Sequence, residues 1–153
     1  MNIVIVPSHN QSKNIEKIIR GYENQTIRPD MLLFVLDRCS DDSYDVISSI
    51  TTTLNLQWLV KTSGENFSAG MTRDYGLDYV KDLDYDMILF TDGDCVPSEL
   101  VIEKHLENIK QSNKAIVSCG MRKMEDVDGK LIEDERLDKK WINDYTFTER
   151  NGR

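Results

Sequence analysis

Four short apolar runs, "NIVIVPS", "MLLFVLD", "LQWLVK" and "DMILFTD", are each separated by a stretch whose apolar residues recur at helical spacing. This alternation constrains the fold more than any other feature of the chain. Ile15, Ile18, Ile19 and Tyr22 fall at i, i+3, i+4 and i+7, the stripe of an amphipathic helix. Val46, Ile47, Ile50 and Leu54 predict a second helix, frayed by the poor helix formers Thr51, Thr52 and Thr53. Met71, Tyr75, Tyr79, Val80 and Leu83 predict a third, and Val101, Ile102, Leu106 and Ile109 a fourth that starts near Pro97 or Ser98. "AIVSCGM" reads as a fifth strand, and "DVDGKLI" as a hairpin turning at Asp128-Gly129. Strand alternating with helix at these lengths predicts βαβ crossovers: an α/β fold, with a mainly parallel Rossmann-type sheet and helices on both faces.

A chain of 153 residues suits one domain, residues 1–153, and can bury roughly 70% of its unfolded surface. No apolar run reaches membrane-spanning length, and "MNIVIVPSHN" lacks the basic region of a signal peptide, so the expected location is cytoplasmic. The net charge of −8 argues against a broad nucleic-acid surface. Cys39, Cys95 and Cys119 form no Cys-x-x-Cys pair, so buried free thiols are expected rather than disulfides or a zinc ribbon.

In parallel α/β sheets, ligands bind beyond the carboxyl ends of the strands. Those ends are where the informative residues gather: Pro7 to Asn10, Asp37 to Asp42, and Thr91 to Cys95. Asp92 and Asp94 follow a strand expected to be buried on both faces, with Gly93 between them to let the backbone bend tightly. Two crowded carboxylates repel unless a cation neutralises them, and a hard cation, Mn²⁺ or Mg²⁺, takes carboxylate oxygens together with phosphate oxygens. A solvated Asp-Gly turn is the competing reading.

Arg73 lies in the first turns of the third helix, where backbone N–H groups also favour anions; a surface pair with Asp74 or Asp78 is its plainer role. Gly70 and Gly76 at helical positions point to close approach of another backbone or a ligand. Ser40, Asp41 and Asp42 suit a helix N-cap, whereas Asp37, before the turn, is placed to accept a hydrogen bond from a base or ribose. His9 belongs to a turn that reaches the same end of the sheet, His105 reads as a packed core histidine, and Trp58 and Trp141 as core or interface residues. Neither a Walker-type loop nor a Gly-x-Gly-x-x-Gly fingerprint is present.

"IVIVPSHNQSKNI", "LLFVLDRCSDDS", "GENFSAGMTRDYGLDY" and "ILFTDGDCVPSEL" together, in this order, resemble the nucleotide-binding part of family-two glycosyltransferases with the GT-A fold. The matching positions are Pro7 and Asn10, Asp37 to Asp42, Thr72-Arg73-Asp74 with Gly76, and Asp92 with Asp94. The resemblance implies a donor-nucleotide site made by Pro7, Ser8, Asn10, Asp37, Arg73 and Asp92, with Asp37 recognising the base. It implies that Asp94, with Asp92, holds Mn²⁺ or Mg²⁺ on the diphosphate, and that a sugar passes from a nucleoside-diphosphate sugar to an acceptor hydroxyl. The acceptor class (saccharide, lipid-linked or other) stays open.

Two departures accompany it. The common Asp-Asp-Gly-Ser turn reads Asp37-Arg38-Cys39-Ser40, and the downstream acidic pair that supplies the general base has only Glu133-Asp134 as a counterpart. Those two also fit a solvated acidic helix start. The expectation is therefore a domain without its full acceptor half, completed by a homodimer or another chain, or else a non-catalytic nucleotide-sugar-binding module. A nucleotidyltransferase ranks behind both, because "PSHNQSKN" offers only Lys13 to grip phosphate.

Overall fold

A computed structural model describes residues 1–64 and 66–111, together with the backbone of 124–125 and 131–132. The chain divides into two units, Met1–Gly120 and Met121–Arg153. The first contains β1 (Asn2–Ser8), α1 (Ser12–Glu23), β2 (Met31–Asp37), α2 (Ser43–Ser49), β3 (Leu56–Lys61), α3 (Ala69–Val80), β4 (Met87–Phe90) and α4 (Val101–Lys110). The four strands described in it form one sheet in the order β3-β2-β1-β4, and each of their pairings is parallel.

Side chains alternate across a strand, so a sheet covered on both faces needs apolar residues at every position. β1 and β2 meet that demand. Val4, Val6, Leu32, Phe34 and Leu36 enter one core with Ile15, Ile18, Ile19 and Tyr22 of α1, Ile47 of α2 and Ile102 of α4. Ile3, Ile5, Leu33 and Val35 enter a second core on the other face, with Val80 of α3. Helices on both faces of a parallel sheet are therefore observed. Trp58 is partly buried against the first core, and His105 packs at 7% exposure, where burial pushes its imidazole pKa down.

Three local expectations are corrected. α2 stops at Ser49, and Ile50 turns to an extended ψ of 124°, so Leu54 reaches the core from a loop and not from a helix. Glu23 is the reason: its Oε1 accepts from Thr52 Oγ1 at 2.6 Å and from Thr53 N at 3.1 Å, drawing the threonines away from a helical turn. In α3 the residues facing the sheet are Thr72, Gly76 and Val80, while Met71, Tyr75 and Tyr79 are 63%, 42% and 52% exposed. The helix lies so close to the sheet that a Cβ on Gly76 would come within 2.8 Å of Ile5 and 3.0 Å of Val35, so bulky residues face outward. At Gly70 no such crowding exists, the nearest atom to a Cβ being Ser68 Oγ at 3.9 Å.

β4 is the third correction. It is shorter than "DMILFTD", pairs only with β1 among the described residues, and leaves Phe90 42% exposed. It is an edge strand of the described sheet, not one buried on both faces.

α4 begins at Val101, and its opening is secured by Gln25, two residues past the end of α1. Gln25 donates through Nε2 to the Ser98 carbonyl at 2.6 Å and accepts through Oε1 from Ile102 N at 3.3 Å. Asp41 performs a double capping role: one oxygen accepts from Ser12 N at 2.9 Å, and the other from Ser43 N at 3.1 Å and Ser43 Oγ at 2.5 Å. Capping thus falls to Asp41 within the expected Ser40–Asp42 stretch, and it serves two helices.

In the second unit, β5 (Met124–Glu125) pairs antiparallel with β6 (Leu131–Ile132), in agreement with a hairpin around Asp128-Gly129. That turn, the strand expected over 115–121, Cys119, Glu133, Asp134 and Trp141 lie outside the described residues.

The capping and loop-tying carboxylates give the fold a defined acid limit. Burial favours the neutral Asp41, but hydrogen bonds from Ser43 and Ser12 outweigh it and hold the group at about 2. Bonds from Thr52 and Arg20 likewise lower Glu23 to about 2. A carboxyl lowered in the folded state stabilises it above the unfolded value of about 4 and loses that contribution as pH falls toward 2. Stability measured by urea unfolding is expected to decline modestly below about pH 7, where the unfolded chain protonates His105 before the folded one does, and to fall further between about pH 4 and 2. An Asp41→Asn, Glu23→Gln double variant is expected to show a shallower fall, and an unchanged slope would refute the assignment.

Candidate functional site

The carboxyl ends of β1, β2 and β4 and the start of α3 bring the sequence-predicted residues to one edge of the sheet. β1 delivers Pro7 and Ser8, both buried. Asn10 then takes a left-handed conformation, φ +54°, which asparagine tolerates better than most residues. Its Oδ1 accepts from Ser40 N at 2.7 Å and from Asp41 N at 3.3 Å, joining the β1 turn to the β2 turn. His9 reaches the same place. Its Nδ1 bonds the Asp37 carbonyl at 2.7 Å, which requires the proton on Nδ1, and its ring stacks on Phe67 with centroids 5.1 Å apart.

Asp37 is fully buried and surrounded by donors. Oδ2 accepts from Thr72 Oγ1 at 2.5 Å and Lys61 Nζ at 3.1 Å, and Oδ1 accepts from Arg38 Nε at 2.8 Å. Burial by itself would raise its pKa, but the bonds from Arg38, Thr72 and Lys61 prevail and hold the carboxyl below its ordinary value. Asp37 therefore links β2, β3 and α3.

The Asp-x-Asp segment is a turn, closed by Cys95 N donating to the Asp92 carbonyl at 3.1 Å. Gly93 is needed there for space and not for a left-handed backbone: a Cβ would lie 2.9 Å from the Pro7 carbonyl oxygen and 3.2 Å from Ser8 Cα. The turn is thereby pressed onto the end of β1. Asp92, Asp94 and Cys95 each offer a ligand atom within 4.8 Å of the others. Two carboxylates at that separation fit a hard divalent cation that keeps further oxygen ligands for a substrate. Cys95 also donates to Asp94 Oδ1 at 3.4 Å. Both Cys39 and Cys95 are free and only partly buried, which corrects the expectation of buried thiols.

Arg73 crosses from α3 to this turn and donates through Nη2 to Asp92 Oδ1, so its partner is the Asp-x-Asp carboxylate and not Asp74 or Asp78. Among the described residues its Nε is buried without a hydrogen-bond partner, as is Ser8 Oγ. All the predicted donor-site residues thus lie at one end of the sheet, and direct contacts join Pro7 and Ser8 to Gly93, and Arg73 to Asp92. The sequence reading missed the Arg38 and Lys61 ends of the Asp37 network. A partial signal was present: Arg38 follows Asp37 directly, and Lys61 ends the strand that pairs with β2.

The described strands form a parallel sheet with helices on both faces and an acidic turn beyond β4, a GT-A-like arrangement. The family model described as Glycosyl transferase family 2 matches residues 3–153, and the chain belongs to that family. No curated protein matches the chain. Among solved structures it is similar to TarS of S. aureus, with 21% identity and a TM-score of 0.56 over 72% of this chain and 19% of that one. Residues 1–349 of TarS align with 20% identity and a TM-score of 0.60, covering 82% of this chain and 41% of that one. The same fragment in complex with UDP-GlcNAc aligns with 22% identity and a TM-score of 0.57, over 72% and 31% respectively. The chain therefore spans less than half the length of each of these structures. No helix among the described residues is long and apolar enough to cross a membrane.

Proposed function

We propose that this chain binds a nucleoside-diphosphate sugar and transfers the sugar to an acceptor hydroxyl with the help of a divalent cation. The observation that carries the reading is the Asp92–Asp94 turn pressed onto the β1 end at Gly93, with Arg73 bonded to Asp92 on a GT-A-like sheet. Asp94 and Asp92 would hold Mn²⁺ or Mg²⁺, which supplies positive charge against the leaving diphosphate. Arg73 adds a fixed cation beside that position. Pro7, Ser8 and Asn10 line the nucleoside side of the crevice, and Asp37 organises the base end through its bonded cations.

UDP is the first nucleotide to test, since TarS has been crystallised with UDP and with UDP-GlcNAc. Isothermal titration is expected to show UDP binding that depends on Mn²⁺ and disappears with a chelator. Metal-independent binding, or no binding of any nucleoside diphosphate, would refute the proposal. Binding without release of UDP from a panel of UDP-sugars would instead favour a non-catalytic nucleotide-sugar-binding module.

A further inference from the structure

We infer that the end of α1 is the mount that sets the Asp92–Asp94 turn, with Gly21 a positioning residue for the divalent cation; this rests on the metal-dependent reading of the site. From Thr91 to Leu100 the chain forms neither strand nor helix, so no ladder of backbone bonds fixes the place of the two carboxylates. Contacts fix it from two sides. One is the end of β1, against which Gly93 is pressed. The other is the last turn of α1 and the residues just after it.

Gly21 lies inside α1, where glycine is less favourable than alanine, and its backbone is not left-handed. Space explains it instead. A Cβ there would stand 2.8 Å from Pro97 Cδ, 3.0 Å from Pro97 Cγ and 3.3 Å from Val96 Cγ1, so the proline ring rests directly on the helix backbone. One residue on, Tyr22 is buried, and its hydroxyl bonds the side chain of Thr91, the neighbour of Asp92. Gln25, also buried, donates to the Ser98 carbonyl, and Thr26 N donates to the Glu99 carbonyl at 3.0 Å. These residues hold the segment both before Asp92 and after Asp94.

The mount cannot retreat. Ile15, Ile18, Ile19 and Tyr22 fill the core beneath it, which fixes α1 against the sheet. An atom added at Gly21 therefore moves Pro97, whose rigid ring carries its backbone with it. Pro97 follows Asp94 by three residues, and the bond from Cys95 N to the Asp92 carbonyl ties the turn together. A shift at Pro97 is thus passed to both carboxylates, whose ligand atoms lie within 4.8 Å of each other.

The test is Mn²⁺ titration in the presence of UDP, followed by electron paramagnetic resonance, for the wild type, Gly21→Ala, Pro97→Ala and the double variant, with urea unfolding alongside. Gly21→Ala is expected to unfold at a urea concentration no lower than the wild type, because alanine favours the helix and the loop yields. Its Mn²⁺ affinity is nevertheless expected to fall at least about 10-fold, the lower end of what groups one step removed from a metal control. Adding Pro97→Ala removes the ring that meets the new Cβ, and is expected to return affinity to within about 3-fold of Pro97→Ala alone. Unchanged Mn²⁺ affinity in folded Gly21→Ala would overturn the inference, and so would a loss that Pro97→Ala does not relieve. Either result leaves the Asp92–Asp94 reading standing, whereas a wild type that binds no Mn²⁺ with any nucleoside diphosphate removes both. Should Gly21→Ala not fold, Tyr22→Phe removes the bond to Thr91 without adding an atom and is expected to weaken Mn²⁺ binding by about 3-fold or more. Full affinity in that variant would overturn the inference as well.

Discussion

Asp37→Ala is expected to destabilise the fold by about 3–5 kcal/mol, the usual cost of removing one partner from a buried charged cluster. The carboxylate is fully buried, and its loss would leave Lys61, 8% exposed, and Arg38, 18% exposed, without their shared counter-charge. Thr72 Oγ1 would lose its acceptor on Asp37 but keep the Ser68 carbonyl at 2.8 Å. Domains of this size are stable by about 5–15 kcal/mol in total, so the variant is expected to sit near the unfolding threshold. Urea unfolding at pH 7 measures the effect. A loss below about 1 kcal/mol would show that the cluster is solvated and not a structural node. Asp37→Asn keeps the shape but not the charge and is expected to fall between the wild type and the alanine variant.

The second large effect separates function from stability. Asp94 is exposed, at the tip of the turn, so Asp94→Asn is expected to leave urea unfolding within about 0.5 kcal/mol of the wild type. Its effect on Mn²⁺-supported UDP binding is expected to be at least about 100-fold, because loss of a direct ligand should exceed the 10–100-fold typical of groups one step removed. Mn²⁺ binding followed by electron paramagnetic resonance gives a readout independent of turnover. Retention of full Mn²⁺ affinity in a folded Asp94→Asn protein would rule out this carboxylate as a ligand.

These two residues show why the sequence revealed some parts of the molecule and not others. β2 and β3 were legible to their end residues because each is a short apolar run bounded by turn residues and too short for a helix. α1 was legible because its four apolar residues fall on one stripe and all are buried. The α3 stripe misled, since aromatic side chains at helical spacing signalled a helix correctly but marked its outer face. What buries the inner face is the absence of a side chain at Gly76, and hydrophobic periodicity does not register an absence. The end of α2 was set by Glu23, an acceptor from another element.

For the candidate site, the sequence by itself supplied the residues and their order: the Pro7–Asn10 turn, Asp37, Arg73 and the Asp92–Asp94 pair, each at or beyond a strand end or at a helix start, and together enough to indicate the family. Local pattern carries that much, because strand ends and turn residues are local properties of a chain. Only the tertiary structure decided the partners. It bound Arg73 to Asp92 across 19 positions of sequence, enclosed Asp37 between Lys61 and Thr72, and left one nitrogen of Arg38 buried without an acceptor. Hydrogen-bond partners are fixed by distance and burial in space, and sequence separation carries neither.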